Sequence, residues 1–380
     1  MDQTRSKRWL SDYALGILIL FVVVLLWTVG NFVAQDAFDT GFRKPFWVTY
    51  LNGITFVVYL VPYALKHVML KYGVHAWGSK TIAHADYQSL PTDDKEGPEV
   101  SSTRPFTERE TFRLALSFAF PYFLLNWSLY ASLSMTSVTS STIIGSTVGI
   151  WTLLLGRLFG IEAFTLVKVL AVAASFVGVV LVSVSDGSSG SSEATASSTD
   201  THTNPAPVLG DIIALVGAAV CALYMVLFKR RVRDESRVDM RLMFGCMGAV
   251  NGVCMLPVGL LLHVLHVERL ELPSGRAVLA VSVGMATTVV ADVLWFVAMM
   301  KTTPVVASVG QSLTMPFALI GDFFLHGTVS ILAILGCAVV LASFGVLGLD
   351  SRKEVEQGKG PKATEFMEDD AMELGERGED

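Results

Sequence analysis

The sequence predicts an all-α membrane protein of ten helices, built as two five-helix halves that enter the membrane in opposite orientations. Three observations predict it. Hydrophobic residues make up 52% of the 380 positions and charged residues only 16%, against about 25% charged in soluble domains. The apolar residues fall into ten runs, several of which reach the roughly 20 residues needed to cross a bilayer. A Ser-rich stretch, DGSSGSSEATASSTDTHTNPAP near 185–207, then divides the runs into five and five.

The spans are expected at 13–34, 46–68, 112–133, 137–157, 163–184, 208–228, 241–264, 277–299, 303–324 and 328–348. A backbone in lipid must satisfy its own hydrogen bonds, so each is read as a helix. The first run follows Arg5, Lys7 and Arg8 but has no small-residue cleavage site after it, so it is a retained span and not a signal peptide. Four segments fall outside the spans: a short N-terminus at 1–12, a polar loop at 70–109 holding Pro91, Pro98 and Pro105, the Ser-rich loop at 185–207, and an acidic tail at 349–380. All but the N-terminus read as disordered by composition.

Lysine and arginine set the orientation. With the N-terminus in the cytosol, only Arg43, Lys44, Arg269 and Arg276 fall on the far side, which leaves 28 − 4 = 24 of the 28 basic residues cytosolic, the cluster KRRVRDESR at 229–237 among them. Both termini are then cytosolic. Five is odd, so the second half must enter the membrane inverted. The run TSVTSSTIIGSTVGIWTLLLG at 136–156 is echoed by TTPVVASVGQSLTMPFALIG at 302–321, and SFVGVVLV at 175–182 by ASFGVLGL at 342–349. Inverted repeats with a solute site between the halves mark alternating-access transporters. Nothing resembles a nucleic-acid-binding face. The four cysteines, Cys221, Cys246, Cys254 and Cys337, lie inside apolar runs and form no disulfide framework or metal site.

Several stretches carry a family resemblance: KPFWVTYLN at 44–52, NWSLYASLSMTSVTSSTIIGSTVGIWTLLLGRLFGIE at 126–162, FTLVKVLAVAASFVGVVLVS at 164–183, GDIIALVGAAVCALYMVLFKRRVRDESRVDMRLMFG at 210–245 and QSLTMPFALIGDFF at 311–324. They resemble the drug/metabolite transporter superfamily with two EamA-type repeats. Within it the chain is similar to the F branch of the solute carrier family that includes nucleotide-sugar transporters, and to the fungal vacuolar membrane proteins of that branch. The resemblance implies ten helices, cytosolic termini, a central cavity and an endomembrane, vacuolar with the Golgi as alternative. It supplies no substrate.

The candidate site residues are polar groups inside spans. Asp292 stands in TTVVADVLWFVAMMK, where an ionisable group costs ~3 kcal/mol to insert and so marks a solute or proton path, or else a buried structural pair. Trp295 and Thr288 share its face. Asn126 and Tyr130 lie four apart on one face of the third span. Ser140, Ser141 and Thr142 head the fourth span, and Ser308, Gln311, Ser312 and Thr314 form a matching run in the ninth. Hydroxyls also let helices pack closely in lipid, but two polar heads in corresponding places favour a wet cavity lined by spans 1, 3, 4, 6, 8 and 9. Asp36, Asp211 and Asp322 read as interfacial.

Carriers of anionic nucleotide sugars need cavity lysines or arginines. Here such residues stand only at span ends, at Lys66, Arg157, Lys168 and Lys301, and the Phe-Tyr-Asn-Asn and Gly-Ala-Leu-Asn-Lys motifs of GDP-mannose carriers are absent. One acid without a central base suits a cation, thiamine-like and stacked on Trp151 or Trp295, or a proton-coupled neutral solute. The expected function is secondary-active transport of a small polar metabolite. A nucleotide-sugar carrier and a non-transporting membrane sensor or scaffold are the alternatives. No cofactor or metal is expected, no catalytic constellation is seen, and HVLHVE at 263–268 has no metal-site spacing. The expected partners are a small-molecule substrate and the bilayer, with a homodimer left open and no nucleic acid. Asn126-Trp127-Ser128 matches a glycosylation sequon inside a span, and Tyr87-Gln88-Ser89-Leu90 a sorting pattern.

Overall fold

The structure, a computed structural model, describes residues 3–39, 44–65, 106–136, 138–162, 164–189, 205–232, 237–270, 275–326 and 330–356. Among these residues every regular element is a helix. Ten helical stretches are long and apolar enough to cross a membrane: Asp12–Gly30, Pro45–Leu65, Glu108–Met135, Ser140–Leu158, Leu166–Ser185, Val208–Val232, Met240–Val264, Val281–Lys301, Pro304–Gly321 and Ile331–Lys353. They are numbered spans 1 to 10 below. The polar loop and the acidic tail lie mostly outside the described residues. The Ser-rich loop is shorter than the sequence suggests, because helix continues to Ser189 before it and resumes at Pro205 after it.

Local chemistry sets the helix ends. Thr107 accepts from the Glu110 N–H while Glu110 accepts from the Thr107 N–H, a capping box that starts span 3. Asp239 caps span 7 by accepting from Arg241 and Leu242. Pro45 and Pro304 open the helices of spans 2 and 9, where the missing N–H costs nothing.

Three spans are not continuous α-helix. Span 2 changes from α-helix at Pro45–Thr55 to a 3-10 turn at Phe56–Leu60. Span 4 is two half-helices, Val138–Gly145 and Val148–Leu158. Span 9 is likewise two, Pro304–Gln311 and Thr314–His326. Side chains satisfy the carbonyls that the breaks release. Ser146 and Thr147 donate to the carbonyls of Ile143 and Ile144 in span 4, and Thr314 donates to that of Gln311 in span 9.

Span 1 packs along span 8 and span 3 along span 6; span 5 lies against span 10, and span 2 against span 7. Glycines permit the closest approaches. A Cβ at Gly178 of span 5 would sit 2.8 Å from the Gly336 carbonyl of span 10, and a Cβ at Gly336 2.7 Å from the Gly178 carbonyl. The core between the helices holds Phe56, Tyr122, Tyr224, Phe228, Phe244 and Phe296, with the Phe228 and Phe296 rings 4.9 Å apart. Leu18, Leu116, Leu170, Val216, Val253 and Leu335 face outward as an apolar exterior, which suits a lipid surround.

Candidate functional site

Asp292 lies near the middle of span 8, nine residues before Lys301 and so about 14 Å from that end of the helix. It is 8% exposed. One carboxylate oxygen accepts the indole N–H of Trp27 from span 1 at 3.2 Å; the other accepts the phenol O–H of Tyr122 from span 3. Both donors are neutral. An ionised carboxylate offers about four lone-pair sites, so acceptor capacity remains. A charged group held away from water by neutral donors is a costly arrangement that needs a partner.

Aromatic rings surround this carboxylate. Trp295, one turn beyond Asp292, stands 5.8 Å from Trp27 and 4.9 Å from Phe296, ring centre to ring centre. Tyr122 meets Phe56 edge-on at 5.6 Å. The Trp295 indole N–H is buried without a hydrogen-bond partner among the described residues, as are both amide atoms of Asn251 in span 7. Buried polar groups are rarely left so. Among the described residues, no cluster of histidine, cysteine, aspartate or glutamate has the composition to hold a metal.

A polar stripe runs from Asp292 along span 3. Tyr122, Asn126 and Tyr130 follow at intervals of four on one helix face. The Asn126 amide donates to the Tyr122 carbonyl at 2.9 Å, and the Tyr130 hydroxyl accepts from Asn52 of span 2 at 3.1 Å. The structure therefore brings Asp292, Trp295, Asn126 and Tyr130 into one region.

The hydroxyl runs sit differently. Ser140 and Thr136 both donate to Asp211 of span 6, at 2.7 and 2.8 Å. Ser141 is buried and accepts from Ser132. Thr142, Gln311 and Thr314 are half-buried, the last two at the break in span 9. Much of each run thus serves helix junctions. Trp27, Tyr122, Asn52 and Asn251 were not singled out from the sequence. Tyr122 carried a signal, since it continues the Asn126–Tyr130 face by one more turn. Trp27 carried none that separates it from an ordinary span tryptophan.

Comparisons with known proteins agree with this architecture. The model of the EamA-like transporter family matches residues 95–184. The chain is 34% identical to an uncharacterized vacuolar membrane protein of Saccharomyces cerevisiae, over 93% of this chain and 94% of that one. It is 35% identical to an uncharacterized transporter of Schizosaccharomyces pombe, over 90% and 98%. It is 32% identical to solute carrier family 35 member F5 of Bos taurus, over 62% of this chain and 43% of that one. A solved crystal structure, 16% identical, superposes with a TM-score of 0.58 over 90% of this chain and 98% of its own, which supports the fold. The chain belongs to the EamA-like membrane transporters of the drug/metabolite transporter superfamily.

Proposed function

We propose that this protein is a secondary-active carrier that works by alternating access, and that Asp292 is the centre of its substrate site. The observation that carries the reading is the buried, mid-span carboxylate of Asp292, held by Trp27 and Tyr122 and paired with no base among the described residues. Such a group suits an organic cation, or a proton that travels with a neutral solute. The Trp27 and Trp295 rings offer faces to a flat cation, and the Trp295 N–H offers a donor to an acceptor on the same molecule. A small, flat, polar cation of the thiamine type fits this set.

The arrangement of spans supports two inverted halves. If span n corresponds to span n + 5, the 1–8 pairing becomes 6–3, which is also a principal pairing, and the 2–7 and 5–10 pairings map onto themselves. Spans 4 and 9 correspond and both break after a first half-helix of 8 residues. Interrupted helices in corresponding places of the two halves point to the binding site in carriers of this design. The lysine and arginine bias favours cytosolic termini. Residence in the vacuolar membrane follows the name of the budding-yeast relative; another relative, 30% identical over 85% of its length, is named a thiamine-repressible mitochondrial transport protein. Fluorescent tagging and colocalisation separate the two membranes.

A thermal-stability screen of the purified protein tests the substrate class. A ligand that binds the folded state stabilises it by about 2.7 kcal/mol at one hundred times its Kd. Organic cations including thiamine are expected to raise the melting temperature of the parent protein and not of Asp292→Asn. A shift produced by a nucleotide sugar and insensitive to Asp292 overturns the charge argument.

A further inference from the structure

At each face of the bundle a glutamate from one half of the chain reaches the start of a proline-led helix in the other. Glu162 lies in the turn between spans 4 and 5 and is 3% exposed. One of its carboxylate oxygens binds Lys168 Nζ at 3.1 Å, inside its own half. The other accepts the backbone N–H of Val305 at 3.3 Å, in the first turn of Pro304–Gln311. That half-helix is buried from Pro304 to Gly310. Gly156 lets Glu162 pack close against span 4, where a Cβ at that position would meet Glu162 Cγ at 2.8 Å.

The opposite face carries the reciprocal contact. Glu268 follows span 7, and its two oxygens accept the backbone N–H groups of Trp47 at 3.0 Å and Phe46 at 3.2 Å. These are first-turn donors of Pro45–Thr55, a helix whose own cap residue, Lys44, makes no side-chain cap bond. Trp47 Nε1 donates back to the Glu268 carbonyl, and Lys44 Nζ to that of Arg269. First-turn N–H groups have no partner within their helix, and the helix start attracts negative charge. Each glutamate therefore fills a need that the other half of the chain leaves open.

We propose that Glu162 and Glu268 are the two gate latches of the carrier, one for each face. The inference rests on the alternating-access reading. Rocking of the halves must separate them at one face and press them together at the other, and each latch bridges the halves at one face only. Glu162 locks the first half-helix of span 9 and Glu268 the first helix of span 2. Both latches are made in this structure, so both faces are held at these points.

Sided thiol labelling tests this in the full-length protein reconstituted into liposomes, with Cys221, Cys246, Cys254 and Cys337 replaced. Ser308→Cys reports on span 9 and Thr49→Cys on span 2; both positions are buried. A membrane-impermeant maleimide is the probe. Glu162→Gln is expected to speed labelling at position 308 by about tenfold, the scale of one lost charge-assisted hydrogen bond, and to leave position 49 unchanged. Glu268→Ala is expected to do the reverse. Where Glu162→Gln does not fold, Glu162→Asp keeps the charge but is one methylene too short to reach both Lys168 and Val305, and the same direction is expected. Faster labelling at both reporters together, or at neither, in monodisperse protein overturns the proposal. Labelling needs no solute: the expected pattern without solute flux keeps the latches and sinks the carrier, whereas flux with unresponsive labelling sinks the latches alone.

Discussion

Asp292→Asn removes a charge and keeps an oxygen that accepts from Trp27 or Tyr122, so the site stays folded while its electrostatic attraction is lost. A cationic ligand is expected to bind at least about tenfold more weakly, the effect of roughly 1.4 kcal/mol, as equilibrium binding to the purified protein would show. The Glu162–Lys168 pair behaves differently. Both side chains are almost fully buried, and stripping one partner from such a pair costs about 3–5 kcal/mol. Lys168→Leu and Glu162→Leu are each expected to be severely destabilising, and the double variant less so than the sum of the two; denaturation of all three in detergent reads the coupling. Asp292 was legible as a charge inside an apolar run. Its partners were not, because an indole N–H and a phenol O–H look like ordinary span aromatics until the fold brings spans 1 and 3 to span 8. Lys168 was read as a span-end cation, since sequence spacing does not reveal that Glu162 folds back onto it.

Among the elements, the broken spans 4 and 9 explain the hydroxyl-rich runs better than composition alone. A break in a membrane helix frees carbonyls, and Ser146, Thr147 and Thr314 satisfy them. The sequence pattern shows that hydroxyls are needed there but not whether they serve solute or backbone. The span 5–span 10 contact rests on two glycines that face one another, so Gly178→Val overpacks it. A loss of about 1–3 kcal/mol is expected, measured as a lower melting temperature. The Glu268 loop gives a pH prediction. Burial holds this carboxyl above the usual glutamate range, against the lowering pull of the Trp47 and Phe46 N–H groups and of Lys44. The packed arrangement therefore binds a proton more tightly than a solvated one. By linkage it gains stability as pH falls through the raised value and loses it as pH rises. The melting temperature of the parent protein is expected to rise relative to that of Glu268→Ala as pH falls through the raised value, read by thermal denaturation. His263, His266 and Arg269 share the loop, so the slope that vanishes in Glu268→Ala is the part due to the carboxyl.

For the whole molecule, ten spans and their boundaries were readable to within a few residues, because lipid solvation forces long apolar helices and leaves few alternatives. The partners of each span were not readable: span 1 lies against span 8, hundreds of residues away in sequence, and apolar surfaces facing one another carry no address. The proposed inverted halves rest on odd span numbers, a symmetric pairing pattern and matched helix breaks, and the proposed rocking about a central carboxylate rests on them in turn. Solute flux tests that most directly. The purified protein would be reconstituted into liposomes with an imposed pH gradient, and uptake of a labelled organic cation identified by binding would be followed beside Asp292→Asn. The account predicts saturable uptake that responds to the gradient and is lost in the variant. Saturable uptake that Asp292→Asn leaves unchanged, or binding without any flux, contradicts it.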